Sequence, residues 1–196
     1  MCGSSAPTLP GSPRALKVVR SASATGASLV PVTLIVTGAA SQVRDFHWLA
    51  SHIPEGLDAQ LTDVTETLAV LGVMGPKARD LLQGLTDGDL SNGAFPFGAS
   101  REIEIGGGKI RASRISYVGE LGWELYIPTK AATGVFDAVA QAGEAHGLVP
   151  AGMHAMQSLR IEKAYRAWGH DIGDQDTALE AGLGFAVAWD KPGSFI

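Results

Sequence analysis

The chain has 196 residues, enough for one ordinary domain or for a piece of a larger one. Hydrophobic residues make up 45% and charged residues 18%, which permits a packed core and excludes wholesale disorder. The net charge is -5 with no lysine–arginine block, one cysteine (Cys2) excludes an internal disulfide framework, and no run of 18 apolar residues occurs; neither nucleic acid nor a membrane is expected as a partner.

Residues 1–31 are rich in Ser, Ala, Pro and Gly, and no acid precedes Asp45. They read as a disordered leader, or as a targeting peptide, since transit peptides are Ser- and Arg-rich and acid-poor. From residue 32 the pattern becomes globular. Residues 32–36 predict a short buried strand that ends at Thr37-Gly38. Residues 41–53 predict a helix with Val43, Phe46, Leu49 and Ile53 on one face and Pro54 beyond its end. A second strand is predicted over 67–73, and Pro76 suits the first turn of a helix reaching Leu82. Residues 86–93 are a polar loop. The alternation over 101–105 and again over 109–117, about three glycines, predicts a hairpin. A further strand follows over 123–127. A helix over 131–146 points Val135, Phe136, Val139 and Ala142 inward, and a last helix runs over about 153–165. The order implies an α+β fold, mostly an antiparallel sheet with packed helices. The chain stops just after an apolar stretch, 182–189, which suggests truncation.

Candidate chemistry is sparse. Gly106-Gly107-Gly108-Lys109 lacks the glycine spacing and the following Ser or Thr of a phosphate loop, and a hairpin turn accounts for it. The five histidines include no i, i+4 pair and no HExxH, so no metal centre is expected. His170, within Trp168-Gly169-His170-Asp171, is either a functional histidine or one bonded to backbone in a tight loop. No Gly-x-Ser-x-Gly elbow exists. The densest constellation is Tyr117-Val118-Gly119-Glu120-Leu121-Gly122-Trp123-Glu124. Its glycines make a tight turn with Tyr117 at the entry and Glu124 on the exit strand. A carboxylate there can accept parallel N–H bonds from a flat, guanidine-like ring edge, and Tyr117 can cover the ring face. An ordinary hairpin with surface acids would look the same. In Ser158-Leu159-Arg160-Ile161-Glu162-Lys163, spacing alone favours a solvated charged face.

Five pieces in order resemble one family: Val36-Thr37-Gly38-Ala39, Leu71-Gly72-Val73-Met74-Gly75-Pro76, the 117–124 turn, residues 158–163, and Leu179-Glu180-Ala181-Gly182-Leu183. Together they look like the aminomethyltransferase, or glycine-cleavage T-protein, superfamily, over residues 32–196. The run Ala164-Tyr165-Arg166-Ala167-Trp168-Gly169-His170-Asp171 is closer to the folate-binding domain of sarcosine and dimethylglycine dehydrogenases, and Met156-Gln157 stand where T-proteins usually carry Arg-Asp.

The resemblance implies a partial folate-binding domain over 32–196, the central part of the family's domain, taking part in one-carbon transfer from an N-methyl amine to tetrahydrofolate. By that resemblance Glu124 grips the pterin edge and Tyr117 lines the pocket, with folate as the small-molecule partner and flavin adenine dinucleotide expected only in the full-length enzyme. The family's catalytic aspartate, which precedes the strand matching 32–36, has no counterpart here, and Ala178 replaces a usual proline. Catalysis is therefore expected to be incomplete, with a flavin-domain half encoded nearby. The alternatives are a glycine-cleavage aminomethyltransferase, which needs a lipoyl carrier, and a non-catalytic remnant without folate binding. The expected compartment is the cytoplasm, or the mitochondrial matrix if the leader is a transit peptide.

Overall fold

The structure, a computed structural model, describes residues 14–20 and 32–193. Seven strands and four α-helices follow in the order β1 (Arg14–Arg20), β2 (Val32–Thr37), α1 (Gln42–Ser51), β3 (Ala59–Asp63), β4 (Leu68–Met74), α2 (Ala78–Gln83), β5 (Ser100–Ile105), β6 (Gly108–Ser113), β7 (Gly122–Pro128), α3 (Ala132–Glu144) and α4 (Met153–Glu162). Among the described residues, all the pairings between these strands are antiparallel, so the α+β expectation holds. No helix among the described residues is long and apolar enough to cross a membrane. Two compact units separate. One runs to Ser116 and takes in Glu120–Pro150; the other is Tyr117–Gly119 with residues from Ala151 onward.

In the first unit, one sheet has the strand order β2-β1-β3. Strand β1 lies inside the segment read as a disordered leader, and residues 14–20 depart from that reading. Leu16, Val18 and Val19 give the segment strand propensity, and two partners complete its backbone bonds, Leu16 opposite both Ile35 and Asp63. The rest of 1–31 lies outside the described residues. Strand β3 was not foreseen. Helix α1 is where the sequence put it, with Phe46 and Leu49 of the expected face half-buried, but Val43 is exposed and no side chain of the helix is fully buried. Asp45 turns inward instead and accepts the hydroxyls of Thr37 and Ser41.

The second sheet of this unit has the order β4-β7-β6-β5. The β5–β6 hairpin turns at Gly106 and Gly107, both at positive φ, which is the geometry that glycine supplies at no steric cost. The glycine run is thus a turn. Strand β6 stops at Ser113 rather than continuing to Tyr117. The period-2 alternation gives the sheet one apolar face. Leu71, Val73, Ile103, Ile105, Ile110, Ala112, Trp123, Leu125 and Ile127 meet Ala78, Leu81 and Leu82 of α2 and Val135 and Val139 of α3 there. Each fully buried aliphatic side chain contributes on the order of 1.5–3 kcal/mol. Phe136, expected inward, is exposed, because α3 turns Val135, Val139 and Gly143 to the sheet. A Cβ at Gly143 would stand 2.4 Å from Leu148, so the close packing of that turn requires glycine.

Candidate functional site

Strand β7 is the pivot. Trp123, Leu125 and Ile127 are buried in the core, with Phe95 edge-on to Trp123 at 6.1 Å. The other face of the strand carries Gly122, Glu124 and Tyr126. Glu124 is half-buried and Tyr126 is buried. The Tyr126 hydroxyl donates to Glu124 Oε2 at 2.5 Å. Burial, and then the bond to Glu124 and its charge, push the Tyr126 phenol well above the ordinary tyrosine range, so Tyr126 stays a proton donor at neutral pH. Among the described residues Tyr126 is the one hydrogen-bond partner of this carboxylate.

The strand register decides what surrounds Glu124. Gly72 of β4 lies opposite it on one side and Ser113 of β6 on the other. Ser113 donates to Ser100 at 2.9 Å. Further along β6, Arg111 pairs with Glu102 at 3.6 Å. Gly72 is exposed, and a Cβ there would make only an ordinary contact, 3.5 Å from Met74 Cε. Packing therefore does not demand glycine at this place. Its effect is to leave the sheet bare beside the carboxylate, as a close ligand approach requires. Gly122 is different: a Cβ would stand 2.7 Å from Met74 Cγ and 2.8 Å from the Val73 carbonyl oxygen. That glycine holds β7 close to β4 and so fixes the height of Glu124 on the sheet. The arrangement offers a half-buried carboxylate oriented by Tyr126 beside an exposed glycine, with acceptor oxygens for N–H donors.

Tyr117 lies in the second unit, so the structure does not bring the two sequence-predicted site residues into one compact unit. Its hydroxyl approaches the Arg166 carbonyl at 3.5 Å. Gly119, at φ +73°, is pressed on the stem of Lys163, where a Cβ would meet Cγ at 2.4 Å. Residue 160 corrects the solvated-face reading. Arg160 is 5% exposed, and its guanidinium bonds Gln157, the Tyr165 carbonyl at 2.7 Å and the Asp171 carboxylate. Asp171 also accepts the Ala167 N–H at 2.7 Å. That backbone bond first, and then the bond to Arg160, hold its carboxyl below the usual carboxylate range. Helix α4 ends on Ala164 in the left-handed region at φ +56°, and the clamp ties the loop that follows to the helix. The signal available in the sequence was an arginine 11 residues before an aspartate; the burial had no signal. His170 bonds Ala167 through its backbone N–H, with its side chain exposed.

Two clefts lie elsewhere. One of about 350 Å3 in the second unit is lined by Arg166, Asp171, Asp176 and Glu180 among others. One of about 620 Å3 in the first lies between the β5–β6 hairpin and the loop after α2. Neither is lined by Tyr117 or Glu124. Among the described residues no group of three His, Cys, Asp or Glu side chains could hold a metal ion.

Comparison with known proteins bears on the family and the fold. The profile of the GCVT N-terminal domain matches residues 32–191. Human mitochondrial dimethylglycine dehydrogenase is 41% identical over 164 residues, covering 83% of this chain and 19% of that protein. Mouse mitochondrial sarcosine dehydrogenase is 45% identical over 152 residues, covering 78% of this chain and 16% of that one. The chain thus spans less than a fifth of the length of these relatives. The glycine cleavage system aminomethyltransferase T from Bartonella henselae superposes with a TM-score of 0.71 over 91% of this chain and 56% of its own, at 19% identity, and shares the fold. The chain belongs to the family of the GCVT N-terminal domain.

Proposed function

We propose that this chain is a tetrahydrofolate-binding domain of a sarcosine- or dimethylglycine-dehydrogenase-like protein, in which Glu124 anchors the pterin. One observation carries the reading: a half-buried carboxylate with one oxygen held by Tyr126 and an exposed glycine, Gly72, opposite it on the next strand. The pterin presents a flat edge of parallel N–H donors, and Glu124 presents acceptors only, so the residues fit the group. Tyr117 is assigned to the folate by the family resemblance alone, since it belongs to the other compact unit. Tetrahydrofolate, when bound, supplies the nitrogens that accept a one-carbon unit. This chain binds and orients the ring through Glu124, and the apolar packing behind Trp123 keeps that carboxylate in place. The dehydrogenase branch is supported by the two relatives above and by Met156-Gln157, of which Gln157 accepts from Arg160. No strand here is followed by Gly-x-Gly-x-x-Gly, so the residues do not fit a flavin pyrophosphate. Flavin and amine oxidation are assigned to other parts of such proteins. The compartment follows the branch: mitochondrial matrix, like the relatives named mitochondrial, or cytoplasm.

Calorimetric titration with 5-formyltetrahydrofolate tests the reading. Each charge-assisted bond is worth roughly 1.5–3 kcal/mol. Glu124→Gln turns an acceptor into a donor facing a donor, so affinity should fall by about tenfold or more, one decade being about 1.4 kcal/mol. Glu120→Gln, on the same turn, should leave it unchanged. Loss on Glu120→Gln with none on Glu124→Gln, or no binding by the native chain, overturns the assignment.

A further inference from the structure

We infer that Tyr126 is a positioning residue for Glu124: its buried hydroxyl fixes the carboxylate in one rotamer, taking one lone pair of Oε2 and leaving Oε1 and the other lone pair of Oε2 to the ligand. The inference rests on the reading of Glu124 as the ligand's carboxylate. The two residues sit two apart on one strand, so their side chains leave the same face, and the hydroxyl donates to Oε2 at 2.5 Å. Tyr126 itself cannot swing away, being 3% exposed between Val70 and Arg111 in the strand register. A glutamate is the opposite case. It has a long stem with several free torsions, and nothing else among the described residues bonds its carboxylate. Without the tyrosine hydroxyl the side chain would sample its rotamers, and a ligand would have to select one of them on binding. The phenol is suited to this work. Its aromatic ring is anchored by burial, its O–H donates to an anion, and burial together with the neighbouring charge keeps the proton on it.

The same bond leaves room for the ligand. A carboxylate has about four lone-pair directions on two oxygens, and one hydroxyl uses one of them. Oε1 is left free, and Gly72 clears the neighbouring position on β4. Tyr126 thus occupies the side from which the carboxylate is held, and the glycine opens a side from which it can be reached.

Three variants of the whole chain are titrated with 5-formyltetrahydrofolate and melted in parallel. Tyr126→Phe removes one oxygen and keeps the ring; the expected result is about fivefold weaker binding, the size of one ordinary hydrogen bond, with little change in Tm. Val70→Ala loosens the same face but leaves the hydroxyl, so it should lower Tm without a matching loss of affinity. Glu124→Gln should weaken binding about tenfold or more, as above. It should also move the phenolic titration at 295 nm to lower pH, because the charge that helps hold the proton on Tyr126 is gone. If Glu124→Gln weakens binding and Tyr126→Phe does not, the positioning role is overturned and the anchor survives. If Tyr126→Phe and Val70→Ala lose affinity in proportion to Tm, Tyr126 is only structural and the inference is again overturned. If Glu124→Gln leaves affinity unchanged, the anchor itself is wrong and the inference falls with it.

Discussion

In the four-stranded sheet, position is set by apolar packing: Trp123, Leu125 and Ile127 are buried against α2 and α3, and Glu124 rides on the far side of the same strand. In the second unit the described side chains bury little that is apolar. Val118 and Ala181 are covered, while Phe185, Leu179, Trp189 and Trp168 are exposed. That unit is organised instead by one guanidinium, Arg160, which reaches a carbonyl, an amide and a carboxylate. The contrast teaches that the strand carrying Glu124 is held by apolar contacts, whereas the loop around Arg166 and Asp171 is held by charge.

The largest effect should come from the apolar side. Trp123→Ala is expected to cost about 3–5 kcal/mol, read by chemical denaturation of the native chain against the variant. Trp123→Phe should cost much less than Trp123→Ala, since the indole N–H is a buried donor without a partner and its removal forfeits no bond. If both substitutions cost the same, the packing account of this strand is wrong. Next in size is Gly122→Ala, whose Cβ would lie 2.8 Å from a backbone oxygen. About 1–3 kcal/mol of destabilisation is expected, together with weaker folate binding as β7 moves from β4.

Acid sharpens the comparison from the other side. The carboxyl of Asp171 is held low in the folded chain, first by the Ala167 amide and then by Arg160. Its stabilisation is therefore present above the ordinary carboxylate range, about pH 4, and is lost as pH falls through the lower folded value. Hydrogen exchange should show protection at residues 165–171 fading on acidification while β7 stays protected. Asp171→Asn should loosen the same loop at neutral pH and remove that acid dependence. Loss of protection in both places at one pH would erase the distinction. The smallest effect on stability is expected of Gly72→Val. A β-branched residue suits a strand and the site has room, so Tm should hold. The side chain would stand beside Glu124, and folate affinity should drop.

The sequence made much of the sheet legible because period-2 alternation survives wherever one face is buried. The hairpin at 106–107 and the strand 122–128 were readable for that reason. Helix faces were harder. Val43 and Phe136 fit the apolar period, yet both are exposed, since the period cannot say which of two overlapping stripes meets a partner. Strand β3 is short and mostly polar, which leaves little trace in side-chain pattern. Glu124 was proposed from turn chemistry and the family resemblance. Its partner Tyr126 was not, because nothing in a Glu-Leu-Tyr triplet marks a short hydrogen bond. Arg160 was misjudged for a related reason: an arginine looks solvated until its acceptors, five and 11 residues on, are brought round to it.

The order β4-β7-β6-β5 has a kinetic consequence. The hairpin of β5 and β6 closes over two glycines and can form early and alone. Strand β7 must then find β4 across an interval that joins Leu68 to Pro128 and Met74 to Gly122, and long-range pairing of this kind is slow because the chain loses entropy before it gains contacts. Glu124 lies opposite Gly72 only once that zipper has closed. The face that carries Glu124 is therefore among the last surfaces to exist as the chain folds, and the proposed folate, if it recognises that face, would slow the opening of β4 from β7 rather than guide their meeting.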